Sequence, residues 1–319
     1  MHDSRTGVAL MLAVWVLLVL GFASLQVLAQ VRGRVDVATV ARTQTVARYA
    51  AESGVVAARA LLEELVQGAD SPEAQARVFG EFQRIIETWG VQELRSARYQ
   101  VVVEDLNARV DLNESREEVL HGLFRQFVGD ARAAELLDAL WGWGLEGEAG
   151  QVQPVETPEA SADEALLRAS VADRPPLMHL EELALMQGFD EALVAELAPY
   201  VTVRGDGLVN VNSAPLPVLT ASPDVGPVAA RTLTESRDQE GLFDSKVGLL
   251  SVLREASAGE LDSQLPDLVT APRRVLVVAR GWEEGRPASH EVQAVLEVQW
   301  SRMIVGERTR LRAWGERSR

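Results

Sequence analysis

Val8 to Leu28 is an uncharged run of 21 residues in which only Ser24 and Gln26 are polar. At 1.5 Å per residue a helix of this length reaches about 32 Å, and the hydrocarbon of a bilayer is about 30 Å thick. A secretory signal would have a shorter apolar core followed by a small-residue cleavage site, and Ala29-Gln30-Val31 makes a poor one. The run therefore predicts a retained transmembrane helix over 8–28, behind a polar leader over 1–7. Arg5 precedes the run, while Arg32 and Arg34 follow it, so positive charge alone gives only a weak vote on orientation.

Helical periodicity does not stop at the end of the run. Val27, Val31, Val35 and Ala38, then Ala47, Ala51, Gly54, Ala58, Leu61 and Leu65 keep a spacing of three or four, and no proline occurs before Pro72. The helix is expected to leave the lipid and lay its apolar stripe on a soluble domain; two helices broken near Gly33 are the alternative. Residues 73–89 predict a second amphipathic helix with Val78, Phe82, Ile85, Ile86 and Trp89 inward. Tyr99–Val103 reads as a strand, as do Arg274–Arg280, Glu291–Trp300 and Thr309–Trp314. Residues 99–103 must pair with strands about 170 positions later, so everything between is an insertion, and its patterning is helical.

That insertion carries an internal quasi-repeat. Val110-Asp111-Leu112-Asn113 is followed by Leu120 and Gly129; Val209-Asn210-Val211-Asn212 is followed by Leu219 and Gly226. A β-like dipeptide, an asparagine, an apolar helix and a glycine turn recur, and Asn113 and Asn212 are expected to cap the helices that follow them. Residues 145–175 are acidic, alanine-rich and proline-containing, and read as a flexible surface loop.

Composition narrows the chemistry. The 47 acidic against 31 basic residues give a net charge of −16, which repels phosphate backbones. With no cysteine, there is no disulfide, thiol nucleophile or thiolate metal site. His179 and Glu182 could share a helix face, but no second histidine pair is nearby, and a surface or capping role is expected. The Glu104–Asp111 turn offers oxygens that could hold Ca²⁺, yet it lacks the mid-loop glycine and late glutamate of an EF-hand loop, and an ordinary turn is expected. No nucleophile elbow, P-loop or dinucleotide fingerprint is present, and nothing asks for an enzyme or a cofactor.

A short leader ending in Gly7, an uncharged helix and an amphipathic continuation together resemble a type IV prepilin-like start. The resemblance implies an inner-membrane prepilin peptidase that cuts between Gly7 and Val8. Such families usually carry glutamate at mature position five; here it is Leu12, the pattern of the type II secretion minor pseudopilin K. Glu182-Leu183 with Gly188, Pro199-Tyr200-Val201-Thr202-Val203, Asn210-Val211-Asn212-Ser213-Ala214-Pro215 with Leu219, Ala230 to Arg237, and Phe243 with Ser245 are similar to the central region of the general secretion pathway protein K family.

What the resemblance implies is an α+β, pilin-like fold: a long transmembrane and amphipathic helix packed on a small antiparallel sheet. Its parts would be the leader (1–7), the span (8–28), the first part of the pilin-like domain (29–104), an all-α insert with helix-hairpin-helix or SAM-like quasi-repeats (105–270) and the C-terminal strands (271–319). It further implies a single-pass inner-membrane protein with a periplasmic domain, located at the tip of a short pseudopilus and helping to start its assembly. Its partners would be minor pseudopilins of the I and J kind. Residues 210–237 also resemble a helix-hairpin-helix, so a membrane-anchored DNA-binding protein of competence type is the alternative. There, however, Asp224 replaces a hairpin glycine and Pro227 removes a phosphate donor.

Overall fold

The structure, a computed structural model of the 319-residue chain, describes residues 3–143, 175–239, 241–256, 265, 267–300 and 304–308; the side chains of 3–13, 27–37 and 304–308 lie outside the description. Helix α1 runs unbroken from Asp3 to Gln67, so no break falls near Gly33. It is followed by α2 (Pro72–Trp89), started by Ser71, whose side chain accepts from the Ala74 N–H at 3.2 Å, and by a proline in the first turn. Of the expected inward residues of α2, Val78, Phe82 and Ile86 are buried, while Ile85 and Trp89 are half-buried.

A five-stranded antiparallel sheet comes next, in the order β1-β2-β7-β8-β9. It joins β1 (Val91–Leu94) and β2 (Ala97–Asp105) to β7 (Arg274–Glu283), β8 (Ser289–Gln299) and β9 (Ile304–Arg308). Val101 faces Ala279 and Val103 faces Val277, the long-range pairing that alternation in these strands required. β1 lies outside the strands expected from sequence. β8 pairs in turn with Ile304–Arg308, with Val298 opposite Val305. The expected strand Thr309–Trp314 lies outside the described residues.

Helix α1 lies across the sheet because two glycines let it come close. A Cβ on Gly54 would stand 2.9 Å from the Tyr99 ring and 3.1 Å from Ala279 Cβ. One on Gly281 would run into the Ala47 carbonyl and the Ala51 amide. Ala47, Ala51, Ala58 and Leu62 are fully buried there. With Phe82 of α2 and Val103, Val277 and Leu296 of the sheet, Ala51, Ala58 and Leu62 form one core.

A second core belongs to residues 110–268 alone. It is built from α3 (Glu117–Val128), α4 (Asp130–Trp141), a 3-10 turn (Leu180–Leu185), α5 (Glu191–Leu197), α6 (Leu216–Ala221), α7 (Gly226–Gln239) and α8 (Lys246–Ala256). The expected all-α insert also contains two short parallel ladders. In these, β3 (Val110–Asp111) pairs with β4 (Val201–Thr202), and β5 (Val209–Asn210) with β6 (Leu268–Val269). Buried valines at 110, 201 and 209 favour this extended backbone, and the ladder satisfies their N–H and C=O groups inside the core.

Among the described residues, no helix is long and apolar enough to cross a membrane. Within 8–28, exposure is described for residues 14–26. There Trp15, Leu17, Leu18 and Leu25 are 66–69% exposed, so none of the described residues buries them. Gly7, Val8 and Leu12 fall within α1, with their side chains outside the described residues.

Candidate functional site

The insert leaves the sheet at the end of β2 and returns at the start of β7, and the tripeptide Asp105-Leu106-Asn107 closes that doorway. Asn107 Oδ1 accepts the N–H groups of Arg273 and Arg274 at 2.8 and 2.9 Å. Its Nδ2 donates to Asp206 Oδ1 at 2.6 Å and to the Leu208 carbonyl at 3.0 Å. One fully buried amide therefore ties the outgoing strand, the returning strand and the middle of the insert together.

Asp105 completes the knot. Its Oδ1 accepts the Asn107 N–H at 2.9 Å, and its Oδ2 accepts from Asn210 Nδ2 at 2.8 Å and Ser213 Oγ at 2.5 Å. Burial pushes its carboxyl above the ordinary value. The three donors oppose that shift, and the charge of Asp206 adds to it. Asp111 is likewise raised by burial, although the N–H groups of Asn113, Glu114 and Gly205 all donate to it.

Asn113 and Asn212 do not cap helices. The residue before α3 is Arg116 and the residue before α6 is Pro215, neither with a side-chain cap. Asn113 instead accepts from the Leu177 N–H at 2.8 Å and donates to the carbonyls of Leu177 and Val203, both at 3.0 Å. Asn212 accepts from the Phe243 N–H at 2.9 Å and donates to the carbonyls of Phe243 and Thr270 at 2.8 and 2.7 Å. Each amide satisfies both backbone groups of one distant residue and a carbonyl just past a parallel ladder. An asparagine side chain offers one acceptor and two donors, which is what this clamp needs and what a helix N-terminus does not.

The other candidate groups are engaged in the fold. Carboxylates of the Glu104–Asp111 turn are filled by protein donors or, for Glu104, by Arg109 at 2.9 Å. Glu182 accepts the Met178 N–H at 3.0 Å, and His121 stands 3.7 Å from Asp130. His2 lies outside the described residues. No group of three or more His, Asp or Glu that could hold a metal occurs among the described residues. At the 223–227 hairpin, Asp224 faces Arg116 at 3.9 Å, and Arg116 is paired through its guanidinium with the buried Asp267. That pairing raises the Arg116 pKa. An acidic side chain at this hairpin disfavours a phosphate, and DNA binding finds no support.

The apolar stripe of α1 lies, as expected, on a folded domain. The Ala47–Leu65 stripe is spent on this chain's own sheet: Ala47, Ala51 and Ala58 are buried, and Leu61 and Leu65 half-buried. On the opposite side Tyr49 and Val56 are 63% and 66% exposed, and Val40 stands out beyond the sheet. Val31 and Val35 have side chains outside the described residues. The sequence reading placed Asp105 and Asn107 in an ordinary turn and gave them no part in joining sheet and insert, although Asp-Leu-Asn occurs twice, at 105–107 and 111–113. In both copies the aspartate accepts the N–H of the asparagine two residues on.

Residues 100–206 match the family described as type II secretion system (T2SS), protein K. No curated protein is matched. Among solved structures the chain is similar to one in the GspK-GspI-GspJ complex of the type 2 secretion system of enterotoxigenic Escherichia coli. That likeness covers 88% of this chain and 97% of the other, at 14% identity and a TM-score of 0.48.

Proposed function

We propose that this chain, whose residues 100–206 match the type II secretion system protein K family, is a minor pseudopilin that sits at the tip of the pseudopilus, where it helps start assembly. The observation that carries the reading is the direction of the insert. Thr43 Oγ1 donates to Glu283 at 2.9 Å, Gly281 lies under Ala47, and Gly54 lies on Ala279 and Val101. Climbing α1 away from the apolar run therefore means descending β7 toward Arg274. The insert joins at that far end. A body of some 165 residues standing above its own helix would collide with any subunit stacked over it; at a tip that neighbour is missing.

Residues 8–28 are the proposed inner-membrane span, with the insert in the periplasm, and Gly7–Val8 the proposed peptidase cut. Mass spectrometry showing a mature chain that starts at Val8 supports the cut; an intact Met1 terminus in the native host refutes it. In a pseudopilus the position-five carboxylate of one subunit pairs with the N-terminal amine of the subunit ahead. A first subunit has no amine ahead, and an unpaired carboxylate in hydrocarbon costs about 2.5–3.5 kcal/mol on insertion scales. Leu12 removes that penalty. The exposed side of α1 around Tyr49 and Val56 is the surface offered to pseudopilins of the I and J kind. Cysteines at Tyr49 and Val56 test this by cross-linking in cells: adducts with those subunits support it, and absence of any such adduct from either position overturns it.

A further inference from the structure

Charge is divided sharply along this chain. Between Asp105 and Thr270 there are 30 acidic and 11 basic residues, a net of −19, whereas the remainder holds 17 acidic and 20 basic, a net of +3. The whole negative excess of the protein therefore sits on the insert. Such a body attracts cations over roughly a Debye length and repels nucleic acid and anionic lipid.

One concavity joins that charge to apolar surface. A cavity of about 1120 Å³ opens between α4 and the Leu180–Leu185 turn, with Glu135, Asp138 and Glu182 on its walls beside Trp143, Leu185 and Met186. The lining arginine, Arg132, is already engaged: it donates to Glu135 at 2.5 Å and to the Gly188 carbonyl at 3.0 Å. Leu185 stands on the rim 74% exposed, next to Met186 and Trp143, and so adds to the apolar lining. The three carboxylates do not converge on a point, since no metal-holding group of acids occurs among the described residues. Acids spread around an apolar floor suit an extended chain of cations better than a single ion.

We propose that this groove docks an extended polypeptide segment carrying at least two arginines or lysines and one bulky apolar side chain. Arginine fits best, because its weakly hydrated planar head pairs with carboxylates and stacks on an indole such as Trp143. The occupant we propose is a segment of another chain, since the insert as a whole carries a net charge of −19. The inference stands on the charge and shape of the insert and is independent of the tip position.

The test uses the full chain in neutral-detergent micelles and a fluorescein-labelled peptide of alternating arginine and leucine, followed by anisotropy against a glutamate–leucine peptide and empty micelles. Saturable binding of the arginine peptide alone is expected. Glu135→Gln with Asp138→Asn should weaken it about tenfold at low salt and less at high salt. Leu185→Ala should weaken it about threefold with charge unchanged. Glu235→Gln with Asp238→Asn on α7 makes the same change of charge away from the groove and should leave binding as it was. Equal weakening by both charge pairs means diffuse attraction and overturns the groove. Absence of saturable binding, or equal binding of the glutamate peptide, overturns the proposal altogether.

Discussion

Gly281→Ala adds one methyl group at the most crowded crossing of α1 and the sheet. The new Cβ would overlap the Ala47 carbonyl and the Ala51 amide and stand 2.9 Å from Ala50 Cβ. The first two obstacles are backbone atoms inside a continuous helix and cannot rotate aside, so α1 must lift by roughly 1 Å. Overpacking that side chains can absorb costs about 1–3 kcal/mol; here the cost should reach about 3 kcal/mol or more. It falls on the core of Ala51, Val55, Ala58 and Leu62 with β2, β7 and β8, and not on the separate core of the insert. Hydrogen–deuterium exchange reads this by segment. Residues 43–66 of α1 and strand β7 should lose protection about a hundredfold, while α3 and α4 keep theirs. Head protection unchanged to within about 0.5 kcal/mol would refute the close-approach argument, and equal loss in α3 and α4 would refute the division into two cores.

Asn113→Ala and Asn212→Ala each orphan two carbonyls and one N–H, and each should cost about 2–4 kcal/mol in urea unfolding of the insert. A loss below about 0.5 kcal/mol for either would show that water replaces the clamp. Asp105 titrates in the opposite sense to a salt-bridged acid. Its folded value is raised, so its contribution to stability is full below about pH 4 and is lost as pH rises through the folded value. Relative to Asp105→Asn, the wild-type chain should therefore lose stability from about pH 4 upward; a difference that is flat or grows with pH contradicts the assignment. Leu12→Glu should lower secretion and pseudopilus number in cells, and improved assembly would sink the account of position five.

The long helix, the sheet and the helical insert were legible because period and alternation report directly on burial. The same signals failed where partners are remote. Asn113 and Asn212 stand where a local cap would stand, yet their partners lie 64 and 90 or 31 and 58 residues away. Gly281 looks like a weak point in a strand until a helix backbone is laid against it. Only the repeated Asp-Leu-Asn tripeptide carried a readable hint of the doorway between head and insert.

The tip position is tested most directly by labelling the insert and looking at filaments. The native chain has no cysteine, so Arg231→Cys on the exposed side of α7 gives one attachment point for nanogold. Electron microscopy of pseudopili from cells carrying that variant should show a single label at one end of each filament. Labels spaced along the shaft would contradict the account.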